Sequence, residues 1–132
     1  MLENLPILFL IYSDFGILAL RLVVGAILVV HGWPKLKDIR GTAEWMGPAG
    51  FKPGLFWAAI VSIVETFGGA LLLLGIFTHY IALVVVGEFV VIVLWRIKTR
   101  YPFKNGKTEF DLLMLAAALA LAALGGGAWQ LW

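Results

Sequence analysis

Cysteine is absent from this chain of 132 residues. Disulfide exchange, thiolate metal sites and cysteine nucleophiles supplied by this chain are therefore excluded. Charged residues are also few, at 14%, whereas hydrophobic residues make up 62% of the chain. With a mean hydropathy of +0.99, a chain this small lies outside the composition range of soluble domains and is typical of an integral membrane protein.

Four apolar stretches predict four membrane-spanning helices, at about residues 15–33, 55–74, 79–96 and 109–128. A hydrocarbon core of about 30 Å needs about 20 helical residues to cross it. We therefore expect an all-α fold, a polytopic membrane four-helix bundle in a single domain over residues 1–132. The first stretch has no basic flank before it and no small-residue cleavage site after it, so we expect it to stay in the mature chain.

The connections between the stretches carry signals of their own. In the first connection, Thr42 is placed to cap a short turn that lays Trp45 in the membrane interface. Gly75 predicts the end of the second helix, and the tight connection there makes the second and third helices antiparallel neighbours. The Asn105-Gly106 pair predicts a turn in the third connection.

Apart from Arg21, the lysine and arginine residues lie in the first and third connections, and the two tails and the second connection have none. The positive-inside rule then predicts cytoplasmic basic loops and both termini outside. Trp33, Trp57 and Trp95 at the basic ends, with Tyr12 and Tyr80 at the opposite ends, agree with two interfacial belts. We expect an integral protein of a prokaryotic cell membrane whose basic loops contact membrane lipids, and no nucleic acid as partner.

Arg21, Glu65 and Glu88 each lie near the middle of a different apolar stretch. Such charges cost on the order of 2.5–3.5 kcal/mol on insertion scales, so they usually face one another, water or a ligand. Counting about 1.5 Å per residue places them at similar depths, and an Arg21–Glu65 pair is the first expectation. The pair could merely fix helix register. Alternatively, because one arginine cannot neutralise two acids, Glu65 or Glu88 could exchange a proton.

A face lined by small residues runs down the first helix, where Arg21, Gly25 and Gly32 recur at helical spacing. In the second helix, Glu65 is followed four residues later by Gly69. Small residues let helices approach closely. We expect these two faces to pack against each other and to bury their polar residues in protein.

His31 lies near the cytoplasmic interface, at a level similar to Glu109 and Asp111 at the start of the fourth helix. Its imidazole could relay protons between the loops and the buried acids, or it could be a hydrogen-bonded interfacial histidine. His79 lies at the opposite membrane face, so the two histidines cannot bind one haem together. No ligand spacing indicates a metal, and the sequence predicts neither haem nor metal.

Several short motifs occur in order along the chain. They are His31-Gly-Trp-Pro-Lys35-Leu, Glu65-Thr-Phe-Gly-Gly69 and Glu109-Phe-Asp-Leu-Leu113. They resemble the His-Gly-x-x-Lys-Leu signature, the Glu-x-x-Gly-Gly block and the acidic start of the last helix in the DoxX family of small four-helix membrane proteins. The resemblance covers about residues 15–131.

This resemblance implies a membrane subunit of a quinone-linked oxidoreductase, with quinone as cofactor and an oxidoreductase subunit as partner. The expected catalytic residues are Glu65, Arg21 and His31. The expected substrate-binding residues, which form a buried polar pocket, are Arg21, His31, Lys35, Glu65, Glu88 and Glu109. Arg21 and Glu88 belong to this set as buried charges, whereas the others match the family's motifs.

Two other functions stay open. Eukaryotic relatives in the family resemble assembly factors or cargo receptors, so the chain could be a non-enzymatic membrane scaffold, assembly factor or chaperone that binds another helix through its glycine faces. A small-solute or proton transporter would need a path for water between both membrane faces. Small-residue faces such as residues 116–123 also favour a homo-oligomer, without fixing its number.

Overall fold

A computed structural model of the protein describes residues 2–99 and 107–132. In this part of the chain there are α-helices and no strands: α1 (Leu5–Lys37), α2 (Ile39–Met46), α3 (Gly54–Ile63), α4 (Gly69–Leu74), α5 (Thr78–Lys98) and α6 (Lys107–Leu124). A π-helical turn, Val64–Gly68, joins α3 to α4 without a break. The expected all-α membrane bundle is confirmed. The turn predicted at Asn105-Gly106 lies outside the described residues.

Three helical stretches among the described residues are long and apolar enough to cross a membrane: Leu5–Lys37, Gly54–Leu74 and Thr78–Lys98. Helix α6 has 18 residues and begins with the charged segment Lys107-Thr-Glu-Phe-Asp111. That α6 also crosses the membrane stays a prediction.

Helix α1 begins at Leu5, well before the first predicted span. Pro6 lies in the first turn, where its missing N–H would have no helical partner in any case. The 33 residues of α1 make a helix about 50 Å long, which exceeds the thickness of a hydrocarbon core. Residues 5–13 are exposed, so the first turns of α1 extend beyond the rest of the bundle.

Helix α1 packs against α4 and the π-helical turn along the expected glycine face. A Cβ atom added at Gly25 would lie 2.7 Å from the carbonyl oxygen of Gly69, and one added at Gly69 would lie 2.7 Å from the carbonyl oxygen of Gly25. Only glycine permits so close an approach at both positions. The predicted packing of the two faces is confirmed, and these glycines are used inside the bundle.

The core lies where α1, α4, α5 and α6 meet. Its buried members are Val24, Leu28, Leu72, Ala82, Val85, Phe89, Met114, Ala118 and Leu121. Gly75 ends α4 as predicted, with a left-handed φ of 72° that suits glycine. The C-terminal segment, residues 125–132, folds back onto this end. Its Trp132 amide donates to the Gly75 carbonyl, and the Phe77 amide donates to the Trp132 carbonyl, each at 3.1 Å.

The first connection contains a helix, α2, that begins at Ile39 rather than after Thr42. The predicted cap at Thr42 is wrong, because the side chain of Asp38 caps α2 and the Thr42 hydroxyl donates to the Asp38 carbonyl at 3.0 Å. Beyond α2, the indole Nε1 of Trp95 donates to the carbonyl of Ala49 at 3.0 Å. This bond holds the loop after α2 against α5.

Candidate functional site

A cavity of about 870 Å³ lies in the half of the bundle nearest the basic connections. Most of its wall is apolar, and the aromatic members are Trp45, Phe51, Trp57, Phe89, Trp95 and Phe110. The charged members are Lys35, Glu65, Glu88, Arg96, Lys107 and Asp111. The wall includes no residue of the C-terminal segment or of the connection between α4 and α5.

The cavity is open to the side, between α3 and α5. Helix α5 packs mainly against α6, α4 and the π-helical turn, whereas α3 packs mainly against α1 and α2. Trp57 of α3 and Val84, Gly87 and Val91 of α5 line the cavity and are exposed on the outside of the bundle. These exposed residues are apolar and belong to two of the stretches that are long and apolar enough to cross a membrane.

An ion pair joins α1 to the π-helical turn in the cavity wall. The Nζ of Lys35 lies 2.9 Å from both Oε1 and Oε2 of Glu65. The Glu65 side chain is 4% exposed and that of Lys35 is 36% exposed. Gly32 makes room for the acid, since a Cβ there would lie 2.6 Å from the Glu65 Cβ. π-Helical turns are rare and frequently occur at functional sites.

Arg21 does not pair with Glu65, so that expectation is wrong. Its Nη1 donates to the carbonyl of Gly126 at 2.7 Å, and its Nη2 donates to the carbonyl of Trp129 at 3.2 Å. Arg21 is 2% exposed and does not line the cavity. The physical reason is that Lys35 reaches Glu65 from the basic end of α1, while the C-terminal segment supplies carbonyl acceptors to Arg21.

Glu88 faces the Lys35–Glu65 pair from α5 and interacts electrostatically with both residues. Its two carboxylate oxygens are buried, and no hydrogen-bond donor among the described residues reaches either of them. The two acids can hydrogen-bond to each other only when one of them carries a proton. One cation therefore lies next to both acids. The sequence analysis expected a single cation for Glu65 and Glu88, but this cation is Lys35 and not Arg21.

The remaining expected residues divide between the cavity wall and the surface. His31 lines the cavity, and its ring centroid lies 5.6 Å from that of Phe110. Glu109 is exposed and does not line the cavity. Four of the six expected substrate-binding residues thus line one cavity: His31, Lys35, Glu65 and Glu88.

A second ion pair in the wall was not predicted from the sequence: Nε of Arg96 donates to Oδ2 of Asp111. The positions of the two residues in the chain were an indication of this pair. Arg96 lies in the last turns of α5 and Asp111 in the first turns of α6. The two ends of an antiparallel hairpin are adjacent, so a basic residue at one and an acidic residue at the other are placed to meet.

The fold and the cavity define a small helical membrane protein with charged residues in the wall of a cavity between its helices. The sequence model of the DoxX family matches residues 16–96. The chain belongs to the DoxX family, as the resemblance of its motifs indicated.

Bacterial relatives extend this match. The chain is 32% identical over 116 residues to "Putative oxidoreductase CatD" of Bacillus subtilis (strain 168), covering 85% of this chain and 81% of that protein. It is 28% identical over 121 residues to "Inner membrane protein YqjF" of Escherichia coli (strain K12), covering 90% of this chain and 91% of that protein. It is 31% identical over 77 residues to "Inner membrane protein YphA" of the same organism, covering 54% of this chain and 55% of that protein. No solved structure matches the chain.

Proposed function

We propose that this chain is the membrane subunit of a quinone-linked oxidoreductase and that its cavity receives the quinone head group from the lipid. The carrying observation is one cavity that combines an opening between α3 and α5 with charged residues on its inner wall. Its volume of about 870 Å³ falls within the range of about 300–1,000 Å³ that is usual for small-ligand sites. The similarity to "Putative oxidoreductase CatD" supports the class.

The residues present suit a quinone. A quinone head group accepts hydrogen bonds at its carbonyl oxygens, and Lys35 and His31 are among the donors that line the cavity wall. Trp45 and Trp95 offer flat apolar surfaces for the ring. The opening between α3 and α5 lets an isoprenoid tail remain in the bilayer.

Proton handling falls to the carboxylates of this chain. When bound, a quinone supplies two-electron redox chemistry coupled to protons. The oxygens of Glu65 and Glu88 hold protons at the inner wall, and Lys35 stabilises the charge that Glu65 carries after it releases one. We assign the electron donor to a partner subunit, because a chain without cysteine offers no thiolate for a disulfide or an iron–sulfur cluster.

We place the basic connections in the cytoplasm and both termini outside. The distribution of lysine and arginine supports this orientation. The cavity then lies in the cytoplasmic half of the bundle. A soluble oxidoreductase subunit would reach it from that side.

The binding step is tested with decylubiquinone, a short-tailed quinone, on protein purified in lipid nanodiscs. Three tryptophans line the cavity, so quenching of tryptophan fluorescence reports on binding. Gly87 lines the cavity, and a Cβ there would meet no atom within 4 Å, so Gly87→Phe should fill the cavity without disturbing the fold. We expect it to weaken binding by about tenfold or more.

Gly16→Phe is the matched control. Gly16 also has no atom within 4 Å of an added Cβ, but it does not line the cavity. Its binding should equal that of the wild type. Equal binding by the wild type and Gly87→Phe would overturn the quinone site.

The catalytic step is tested by quinone-dependent activity in membrane vesicles that contain the native partners. Glu65→Gln keeps the shape of the side chain and removes its charge, and Glu109→Gln does the same at an exposed position outside the cavity. We expect activity to be lost only with Glu65→Gln, while both variants keep their helical circular dichroism. Full activity of Glu65→Gln would remove this residue from the mechanism.

Two structural observations weigh against the other functions. Gly25 and Gly69 lie in the contact between α1 and α4, so this glycine face is not available to a client helix. The C-terminal segment, held by Arg21, covers the end of the bundle opposite the cavity. A transporter would have to move this segment to connect the two membrane faces.

A further inference from the structure

We propose that the cavity is also a binding site for lipophilic organic cations, with the carboxylate of Glu88 as their counter-ion. The ligand class is a delocalised or alkylated cation with an apolar or aromatic body. This inference does not depend on the quinone proposal, because quinone is neutral and is not attracted by a carboxylate.

The three acids of the cavity wall differ in their partners. Both oxygens of Glu65 are engaged by Lys35 at 2.9 Å, and Asp111 is paired with Arg96. Both carboxylate oxygens of Glu88 are buried and have no hydrogen-bond donor among the described residues. A buried carboxylate that faces a second acid, Glu65, and has no hydrogen-bond donor is costly in an apolar medium. A proton or a cation must therefore complete this site.

The composition of the cavity wall decides which kind of cation fits. Among the described residues, no group of three or more His, Cys, Asp or Glu is placed to hold a metal ion, and a small inorganic ion needs several such oxygen or nitrogen ligands. The wall of the cavity instead contains Trp45, Phe51, Trp57 and Trp95. Aromatic faces attract organic cations and accept their apolar bodies.

A cation dissolved in the membrane has a route into the cavity. Lipophilic cations partition into membranes, and the cavity opens to the side between α3 and α5. Trp57 and Gly87 lie at this opening and are exposed. A cation can thus enter the cavity that Glu88 lines without crossing the C-terminal segment or separating Lys35 from Glu65. The same class of ligand is favoured by the opening, by the aromatic wall and by the buried carboxylate without a hydrogen-bond donor in the described part of the chain.

The test uses tetraphenylphosphonium, a permanent cation that cannot donate a proton, and triphenylphosphine oxide as its neutral counterpart. Equilibrium dialysis on the wild-type chain in nanodiscs, against empty nanodiscs, measures binding by the protein. We expect the cation to bind and the neutral probe to bind at least about tenfold more weakly. Failure of the cation to bind, or equal affinity for the two probes, overturns the inference.

Matched variants assign the counter-ion. Glu88→Gln should weaken binding of tetraphenylphosphonium by about tenfold or more, and Glu88→Asp should retain it. Glu109→Gln removes an exposed acid outside the cavity and should change nothing. If Glu88→Gln binds the cation as well as the wild type does, Glu88 is not the counter-ion and the inference is wrong.

A second measurement covers the case in which Glu88→Gln does not fold. In the wild-type chain, tetraphenylphosphonium should raise the melting temperature, because a ligand that binds only the folded state stabilises it. Gly87→Phe should abolish this rise and Gly16→Phe should keep it. No rise in the wild type would contradict the inference. Decylubiquinone binding that fails while cation binding succeeds would reject the quinone proposal alone.

Discussion

The ammonium of Lys35 lies 2.9 Å from both carboxylate oxygens of Glu65, so one ion pair ties the basic end of α1 to the π-helical turn of the second span. The acid is buried and the lysine is partly exposed. Loss of the lysine would leave the Glu65 charge buried without a partner. Loss of the acid would cost less, because water can still solvate the ammonium of Lys35.

We predict that Lys35→Met destabilises the folded bundle by about 1–3 kcal/mol, because it leaves the Glu65 carboxylate buried without its cation. The double variant Lys35→Met, Glu65→Gln should recover part of that loss, since no unpaired charge remains. Thermal unfolding in detergent micelles, followed by circular dichroism, measures both. The single variant Glu65→Gln completes the comparison. If the losses of stability in Lys35→Met and Glu65→Gln simply add in the double variant, the pair contributes no coupling energy to stability.

The contact between Gly25 and Gly69 supports a second prediction. A Cβ at Gly69 would lie 2.7 Å from the Gly25 carbonyl and 2.9 Å from the Cβ of Leu28. Gly69→Val should therefore force α1 away from α4, at a cost of about 1–3 kcal/mol. The measurement is the melting temperature, and Gly16→Val is the control because an added Cβ there meets no atom within 4 Å. An unchanged melting temperature for Gly69→Val would mean that the two helices can separate freely.

Much of this arrangement follows from local sequence. The apolar stretches predict the helices, the spacing of Gly25 and Gly32 predicts the packed face, and Gly75 predicts the end of α4. These features depend on residues within one helix or at its end. The same reasoning placed His31, Lys35, Glu65 and Glu88 in a site, and all four line the cavity.

The partner of each charge could not be predicted in this way. Arg21 bonds to carbonyls of Gly126 and Trp129, more than one hundred positions away in sequence, and any residue type offers a carbonyl. The π-helical turn at Glu65 is equally hidden, because the spacing from Glu65 to Gly69 suits an α-helix as well. Counting residues gave depths but not which side chain reaches which partner.

The bonds of Arg21 support a third prediction. Its two donors hold the backbone of the C-terminal segment, so Arg21→Met should release that segment while the core of the bundle stays folded. Hydrogen exchange followed by mass spectrometry should show faster exchange in residues 125–132 and unchanged exchange in the buried parts of α5. Arg21→Lys should give an intermediate result, because lysine cannot reach two carbonyls with a planar fork. Unchanged exchange in the segment would show that its other bonds suffice.

The orientation of the chain gives a fourth prediction, for which the absence of cysteine is an advantage. The wild type is a blank for thiol labelling, so single substitutions report on one position each. Glu3, Glu44 and Leu131 are exposed, and they lie in the amino-terminal tail, in α2 and in the C-terminal segment. If the basic connections are cytoplasmic, a membrane-impermeant maleimide added to intact bacterial cells should label Glu3→Cys and Leu131→Cys. Glu44→Cys should react only after the membrane is opened. The reverse pattern would place the cavity in the outer half of the membrane, and a cytoplasmic oxidoreductase subunit could not then serve it.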